Sequence, residues 1–535
     1  MRRRTLGTVL LLLLGGLTAH SSASPATPQP WTPTLPAPTY RSVSEYLTIT
    51  MDDGIRLGAT ITFPSKDGTT RARGRFPVVL SMTPYGRDGV CGCPDQTTYP
   101  TRGIASAVID VRGTGGSEGD LNENYFSPRE ARDGYNVVEW LGTRAWSTGK
   151  VGMLGGSYVG ITQYLVAELR PPHLAAIAPE VALSDIYRQA VTYDGVPDLF
   201  FTSQYNAVQG GPGLISGNAG FGGAGGAGND TDLTHGPDQV WTTLGAKAGQ
   251  AQGRPIALDY LARPYDDSWY HARSPYYRAS RIQVPVFIVD GWRDAAFVRG
   301  ALEMYGVLAK RKGVETRIDL FACTHKGCGA PFDPMHAGDG YDNFPALEFD
   351  FLSHYLRGTH EHPMPAVSLR MQPSGPYLSS PKWPLPGTRF TRYYLHPSRT
   401  PALPSGDLGA GSLDQVRPGA TGSGSYATDP AAGLSMALNS YGTVAATPFV
   451  PLDQTLETGH GLLWRTAPVS RRQRLVGPIQ LHLVASSTAT DTDWVARLSD
   501  VAPDGTVSVI TEGALRASHR ALDATRSSVG SPYHQ

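Results

Sequence analysis

Only four of the 535 residues are cysteine, at Cys91, Cys93, Cys323 and Cys328. A dense disulfide scaffold cannot organise a chain this long with so few. Charge is also scarce: charged residues make up 17%, and 46 basic residues balance 46 acidic ones. With no basic block beyond the extreme N-terminus, nucleic acid and anionic membrane surfaces are poor partners. After Leu17 no apolar run reaches the length of a transmembrane helix. What the chain has in quantity is Gly (62) and Pro (43), the residues of turns and long loops. Its length exceeds one ordinary core, so two or three domains are expected.

The N-terminus reads as an address. Arg2-Arg3-Arg4 precede an apolar run from Leu6 to Leu17, and small residues around Ser21-Ser22-Ala23 offer a cleavage site. This is the pattern of a secretory signal peptide over residues 1–23, with an uncleaved anchor as the competing reading. The mature chain is then secreted or extracytoplasmic, with no membrane span. An oxidising compartment favours disulfides. Cys91 and Cys93 are too close in sequence to suit each other, which leaves two bridges to Cys323 and Cys328, in either order. A zinc site with His325 as an extra ligand competes with this reading, but export favours bridges and His325 has a catalytic place.

Residues 24–42 are rich in Pro, Thr and Ala and read as a linker. An α/β block follows over 43–362. Tyr46 to Met51 and Ile55 to Phe63 pattern as antiparallel strands, whereas Phe76 to Met82 and Ile104 to Val111 are continuous apolar runs of the buried parallel kind. Helical spacing runs from Arg129 to Trp146, and Ala175 to Pro179 is a further strand. From about 182 to 278 the rhythm breaks into aromatic, helix-like pieces and a low-complexity stretch, Gly210 to Gly228, read as a surface loop. An insertion there lies over the strand ends where ligands bind. Strand pattern resumes at Val284 to Asp290 and Thr316 to Ala322, then a helix from Phe344 to Leu356. Over 363–535, short alternating strands such as Val367 to Met371, Phe390 to Leu395 and Ile479 to Ala485 predict an all-β sandwich.

The chemistry centres on Gly155-Gly156-Ser157-Tyr158-Val159-Gly160, where the apolar run Lys150 to Leu154 meets a helix-like run, Ile161 to Leu169. A serine on a sharp strand-to-helix turn has its hydroxyl lifted out of the sheet, and flanking glycines give the turn room. The general template is G-x-S-x-G; here the second glycine comes one place late. Serine needs a base, and the base needs an orienting acid. In an α/β-hydrolase these follow in the order Ser, Asp, His, on loops after later strands. Asp294 and His325 meet that order. Asp290 is the alternative acid; His336, His354 and His360 are rival bases. The N–H of Tyr158 and the hydroxyl of Tyr85, after the third strand, are the candidate oxyanion donors.

Taken together, Thr83-Pro84-Tyr85, Asp110-Val111-Arg112-Gly113-Thr114-Gly115-Gly116-Ser117-Glu118-Gly119, Trp146 to Met153 running into the serine turn, Gly291-Trp292-Arg293-Asp294 and Phe351 to Gly358 resemble the cocaine esterase/X-Pro dipeptidyl-peptidase group of α/β-hydrolases. Asp491 to Trp494 and Asp500 to Gly505 extend the resemblance into the last domain. The resemblance implies Ser157, Asp294 and His325 as the triad, Tyr85 and Tyr158 as oxyanion donors, a helical cap and a C-terminal jelly-roll-like sandwich. It also implies the late glycine. The group usually carries Gly-Pro-Trp before its histidine, where this chain has Ala322-Cys323-Thr324. We read the change as a disulfide lock between the histidine loop and the loop after Tyr85. The group's sandwich runs on past a region like Arg516 to Arg520, which leads to the expectation of an exposed sheet edge here.

The expected activity is hydrolysis of a small ester, amide or short peptide through an acyl-enzyme, with no cofactor and no metal. An inactive binding protein on the same scaffold is the alternative from another class. Ala295-Ala296-Phe297-Val298 after Asp294 is apolar and closer to the esterase type; Asp185, Asp194 or Asp198 in the cap are the acids available to bind a substrate ammonium.

Overall fold

The computed structural model describes residues 33–87, 96–120, 125–198, 201–202, 256–321, 325, 344–359, 364–371, 377–396, 411–419, 422–428, 461–527 and 532–534. The expected signal peptide, the Gly210 to Gly228 stretch, all four cysteines, His336 and His360 lie outside these residues.

A ten-stranded sheet organises the first two-thirds of the chain. β1 (Arg41–Thr50) and β2 (Arg56–Ser65) pair antiparallel, with Arg41 opposite Ser65 and Thr50 opposite Arg56. Gly54 turns the chain between them at φ 89°. β3 (Phe76–Thr83), β4 (Ala105–Asp110), β5 (Ser147–Gly156) and β6 (Leu174–Glu180) follow. After the short cap strands β7 (Thr192–Tyr193) and β8 (Val196–Pro197) come β9 (Val286–Gly291), β10 (Thr316–Phe321), β11 (Val367–Arg370) and β12 (Tyr377–Ser380). The spatial order is β1-β2-β4-β3-β5-β6-β9-β10-β11-β12, parallel from β4 to β11.

Every residue of β3, β4 and β9 is buried. That explains their unbroken apolar runs, because helices cover both faces of the sheet. Period-two alternation divides neighbours between two cores. Leu80, Met153 and Ile288 join one cluster; Val79, Leu154 and Phe287 join the other. α1 (Pro128–Gly142) starts at Ser127, whose hydroxyl accepts from Arg129 N–H and Glu130 N–H. α2 (Tyr158–Ala167) is buried at all ten positions; most are apolar, and the polar Thr162 and Gln163 donate to the backbone carbonyls of Val159 and Gly155.

Between β6 and β9 the cap holds a π-turn (Tyr187–Val191), the β7–β8 hairpin, α3 (Ile256–Leu261) and α4 (Ser268–His271). α5 (Ala295–Leu308) follows β9, and α6 (Phe344–Arg357) follows β10.

The C-terminal part is β-rich: β13 (Tyr394–His396), β14 (Gly411–Asp414) and β15 (Trp464–Arg465) form one small sheet, and β16 (Asp493–Val501) with β17 (Val507–Arg516) a hairpin. Two expectations are corrected here. Val367–Arg370 does not open the sandwich; it pairs in parallel with β10 and extends the catalytic sheet. Residues 479–485 join no ladder among the described residues, and Ile479 and Leu481 stand about half exposed at 52% and 51%. Alternation marks a segment as strand-like, but only a neighbour supplies its hydrogen bonds. No helix among the described residues is long and apolar enough to cross a membrane.

Candidate active site

The chain reverses direction across the sheet at β3 and β5: β4 lies on one side of β3 and β5 on the other. A crevice opens outside the carboxyl ends of strands at such a reversal. Tyr85 follows β3 and Ser157 follows β5, so adjacent strands bring them to that crevice.

Ser157 has φ 61° and ψ −125°, a strained conformation for a residue with a side chain. The turn is locked from several sides. Ser157 N–H donates to the Glu180 carbonyl at 3.0 Å, and the Ser157 carbonyl accepts from Gly160 and Ile161 at 2.9 and 3.0 Å. Here the late glycine finds its reason. A Cβ on Gly160 would sit 2.5 Å from the Glu180 carbonyl oxygen and 2.9 Å from the Ala182 side chain, so the helix approaches the end of β6 at this position. Val159, in the template's glycine position, is a buried core residue.

His325 Nε2 lies 2.9 Å from Ser157 Oγ, and its Nδ1 lies 2.7 Å from Asp294 Oδ2. With Nδ1–H donating to Asp294, Nε2 carries no proton and faces the serine hydroxyl as an acceptor. Tyr85 hydroxyl reaches the same Ser157 Oγ at 3.3 Å. Burial raises the Asp294 carboxyl above its ordinary range, and His325 opposes that rise. Asp290 turns inward, its Oδ1 accepting the Gly291 N–H at 2.7 Å; burial and the neighbouring Asp294 push it well above the carboxylate range. Thus His325 meets Asp294, while Asp290 is a buried carboxyl beside it. His354 hydrogen-bonds the Thr359 carbonyl at the end of α6, away from this constellation.

Residues not singled out for a role in the sequence support the site. Glu130 Oε2 accepts from the Tyr158 hydroxyl at 2.6 Å and from Phe126 N–H at 3.0 Å, which holds the ring of the residue after the serine. Phe126 stacks on that ring with centroids 4.1 Å apart. Burial pushes Glu130 up to about 8. Its one sequence signal is the Ser127-Pro128-Arg129-Glu130 spacing, which resembles a capping box. Arg87 explains the Asp110-to-Gly119 motif. Asp110 Oδ1 accepts Arg87 N–H at 2.7 Å and its Oδ2 accepts Gly116 N–H at 2.9 Å, which ties the loop of Tyr85 to the glycine turn. Only glycine fits at 115, where a Cβ would lie 2.2 Å from Asp110 Oδ2.

The cap acids are largely engaged. Arg299 forks onto Asp194 at 2.9 and 3.1 Å. Asp185 is buried, accepting from Arg188 N–H at 3.1 Å and the Tyr277 hydroxyl at 3.3 Å, and burial raises it to about 6 despite Arg188. Asp198 Oδ1 accepts Phe201 N–H at 2.9 Å.

A hydroxyl, imidazole and carboxylate meeting above the carboxyl ends of a largely parallel sheet define a serine hydrolase of the α/β-hydrolase class. The chain belongs to the X-Pro dipeptidyl-peptidase (S15) family, which matches residues 53–327, and the X-Pro dipeptidyl-peptidase C-terminal non-catalytic domain matches residues 360–532. It is 27% identical over 514 residues to the cocaine esterase of a Rhodococcus species, covering 90% of this chain and 84% of that one. A putative serine esterase of Mycobacterium bovis is 25% identical over 531 residues, covering 89% and 80%. Among solved structures, an α-amino acid ester hydrolase shares the fold with a TM-score of 0.68 at 21% identity, covering 96% of this chain and 87% of the other.

Proposed function

We propose that this chain is a secreted acyl esterase that works through a covalent acyl-enzyme on Ser157. The observation that carries the reading is His325, bridging Ser157 Oγ at 2.9 Å and Asp294 Oδ2 at 2.7 Å. His325 Nε2 takes the serine proton as Oγ attacks the ester carbonyl, and Asp294 stabilises the imidazolium. The carbonyl oxygen becomes an oxyanion, which accepts from the Tyr85 hydroxyl and the Tyr158 N–H. Collapse breaks the bond to the alcohol, which leaves with the proton from His325. Water then gives its proton to His325, attacks the acyl carbon and releases the acid.

An ester is favoured over an N-terminal dipeptide because recognition of a substrate ammonium needs an uncommitted carboxylate. Asp194 is engaged by Arg299, Asp185 lies against Arg188 and Tyr277, and the residues after Asp294 are Ala295-Ala296. Export rests on the Arg2-Arg3-Arg4 and Leu6 to Leu17 pattern; recovery of a chain shortened near Ala23 from culture medium is the expected result.

The deciding experiment compares kcat/KM for a simple aryl ester with that for an X-Pro anilide. A preference for the ester of at least about a thousandfold is expected, beyond the roughly 10–200-fold that one methylene can contribute. A preference for the anilide makes the chain an X-Pro dipeptidyl-peptidase instead. Failure of a fluorophosphonate to label Ser157 in the folded protein removes the acyl-enzyme reading altogether.

A further inference from the structure

Asp294 stands beyond the end of β9, so the helix that follows it aims its side chain. It is the N-cap of α5, and its carbonyl accepts Val298 N–H at 2.8 Å. The next turns of α5 are tied to the cap at three positions. Gly300 is pressed so closely on the start of the cap that a Cβ would lie 2.7 Å from Gln189 Oε1 and 2.8 Å from Ser184 N. Arg299 places its two terminal nitrogens on the two carboxylate oxygens of Asp194, in the β7–β8 hairpin. Glu303 accepts from Ser184 Oγ at 3.0 Å and Gln189 Nε2 at 2.7 Å, and pairs with Arg188 at 3.3 Å and Arg299 at 3.2 Å.

The C-terminal domain holds the same hairpin from its other side. Arg516 N–H donates to the Asp194 carbonyl at 3.1 Å. The His519 ring fills the space beside Gly195, where a Cβ would be 2.4 Å from Nδ1, and its Nε2 lies 3.0 Å from the Tyr187 hydroxyl. The Arg188 guanidinium lies 3.8 Å from the centre of the Tyr533 ring.

A partly buried ion cluster is weak evidence for stability, since desolvation offsets much of the attraction. Its place in the chain gives it a use: Arg299, Gly300 and Glu303 all lie on the helix that Asp294 begins. We propose that Asp194, Arg299 and Glu303 form a positioning clamp that registers α5, and with it Asp294, against His325, with the C-terminal domain bracing the clamp through Arg516 and His519. The inference rests on reading Ser157, His325 and Asp294 as the catalytic triad. A displacement of about 1 Å at a catalytic group costs on the order of a hundredfold in rate.

The test uses full-length protein carrying Arg299→Met, Asp194→Asn, both together, or Arg299→Lys, with an aryl ester as substrate. Reactive sites are counted by saturating fluorophosphonate labelling, so turnover is expressed per competent Ser157. The clamp predicts a kcat per site lower by about ten- to a hundredfold for each single loss, with KM within about threefold. The double variant should be no worse than the worse single one, and Arg299→Lys should keep most of the rate. Wild-type kcat per labelled site in Arg299→Met and Asp194→Asn overturns the proposal and leaves the cluster merely structural. Should Arg299→Met not fold, the isosteric Asp194→Asn decides by the same criterion. Absence of labelling in the unmutated protein sinks the triad reading instead, so the two failures are distinguishable.

Discussion

β3 and β17 show two ways of using a strand. All eight residues of β3 are buried, and the strand is parallel to both its neighbours. Among the described residues β17 has one partner, β16, and of its own ten residues Val507 alone is buried. The first is gripped on four sides, so a residue leaving its end, such as Tyr85, has a fixed origin. The second builds surface, and its useful part is its exit, where Arg516 and His519 reach the cap. Positional accuracy in this molecule comes from the doubly covered sheet, and the C-terminal domain meets the cap through a few contacts, among them Arg516, His519 and Tyr533.

The largest expected effect lies at the centre of the sheet. Ser157→Ala should lower kcat by about 10⁵–10⁶-fold while the melting temperature holds, checked by ester hydrolysis and thermal unfolding. Next, Leu80→Ala should cost about 2–5 kcal/mol in denaturant unfolding, because Leu80 is fully buried and leaves a cavity.

A pH series sharpens the same contrast. Burial raises Glu130 from 4.5 to about 8 in the folded chain, so between those values the native state holds a proton that the unfolded state releases. Stability is therefore full below the ordinary glutamate value and falls as pH rises towards 8. The share from Glu130 is on the order of 2–4 kcal/mol, and Glu130→Gln should flatten the decline between pH 5 and 8.

Gly160→Ala should cost about 1–3 kcal/mol, with a disproportionate loss of activity, since the added methyl meets the Glu180 carbonyl and disturbs the serine turn. The smallest effect belongs to the C-terminal domain. Leu481→Ser, at a half-exposed position, should change unfolding free energy by no more than about 0.5 kcal/mol. A cost near that of Leu80→Ala would break the comparison and give Leu481 a covering partner.

Much of the fold was legible in the sequence because it depends on local punctuation. Apolar runs bounded by turn residues mark β3, β4, β5, β6, β9 and β10 to within a few residues, and the helical spacing from Arg129 marks α1 to within one residue of its start, although it overruns the observed end at Gly142. Legibility ended where the same pattern fits two environments. Val367 to Met371 and Ile479 to Ala485 both alternate like strands, yet one pairs with β10 and the other joins no described ladder. Hydrogen-bond partners for a strand come from elsewhere in the chain, and alternation carries no record of them.

The site divides in the same way. The amino-acid order determines that a serine stands on a strand-to-helix turn, that Asp294 and His325 follow at the ends of later strands, and that Gly160 comes one place late. Only the tertiary structure brings His325 to Asp294 while Asp290 turns inward, sets Glu130 under Tyr158, and commits Asp194 to Arg299. The physical reason is separation. His325 lies 168 residues from Ser157 and Arg299 lies 105 from Asp194. Which of several carboxylates is buried, paired or left facing the site is decided by packing between segments that far apart.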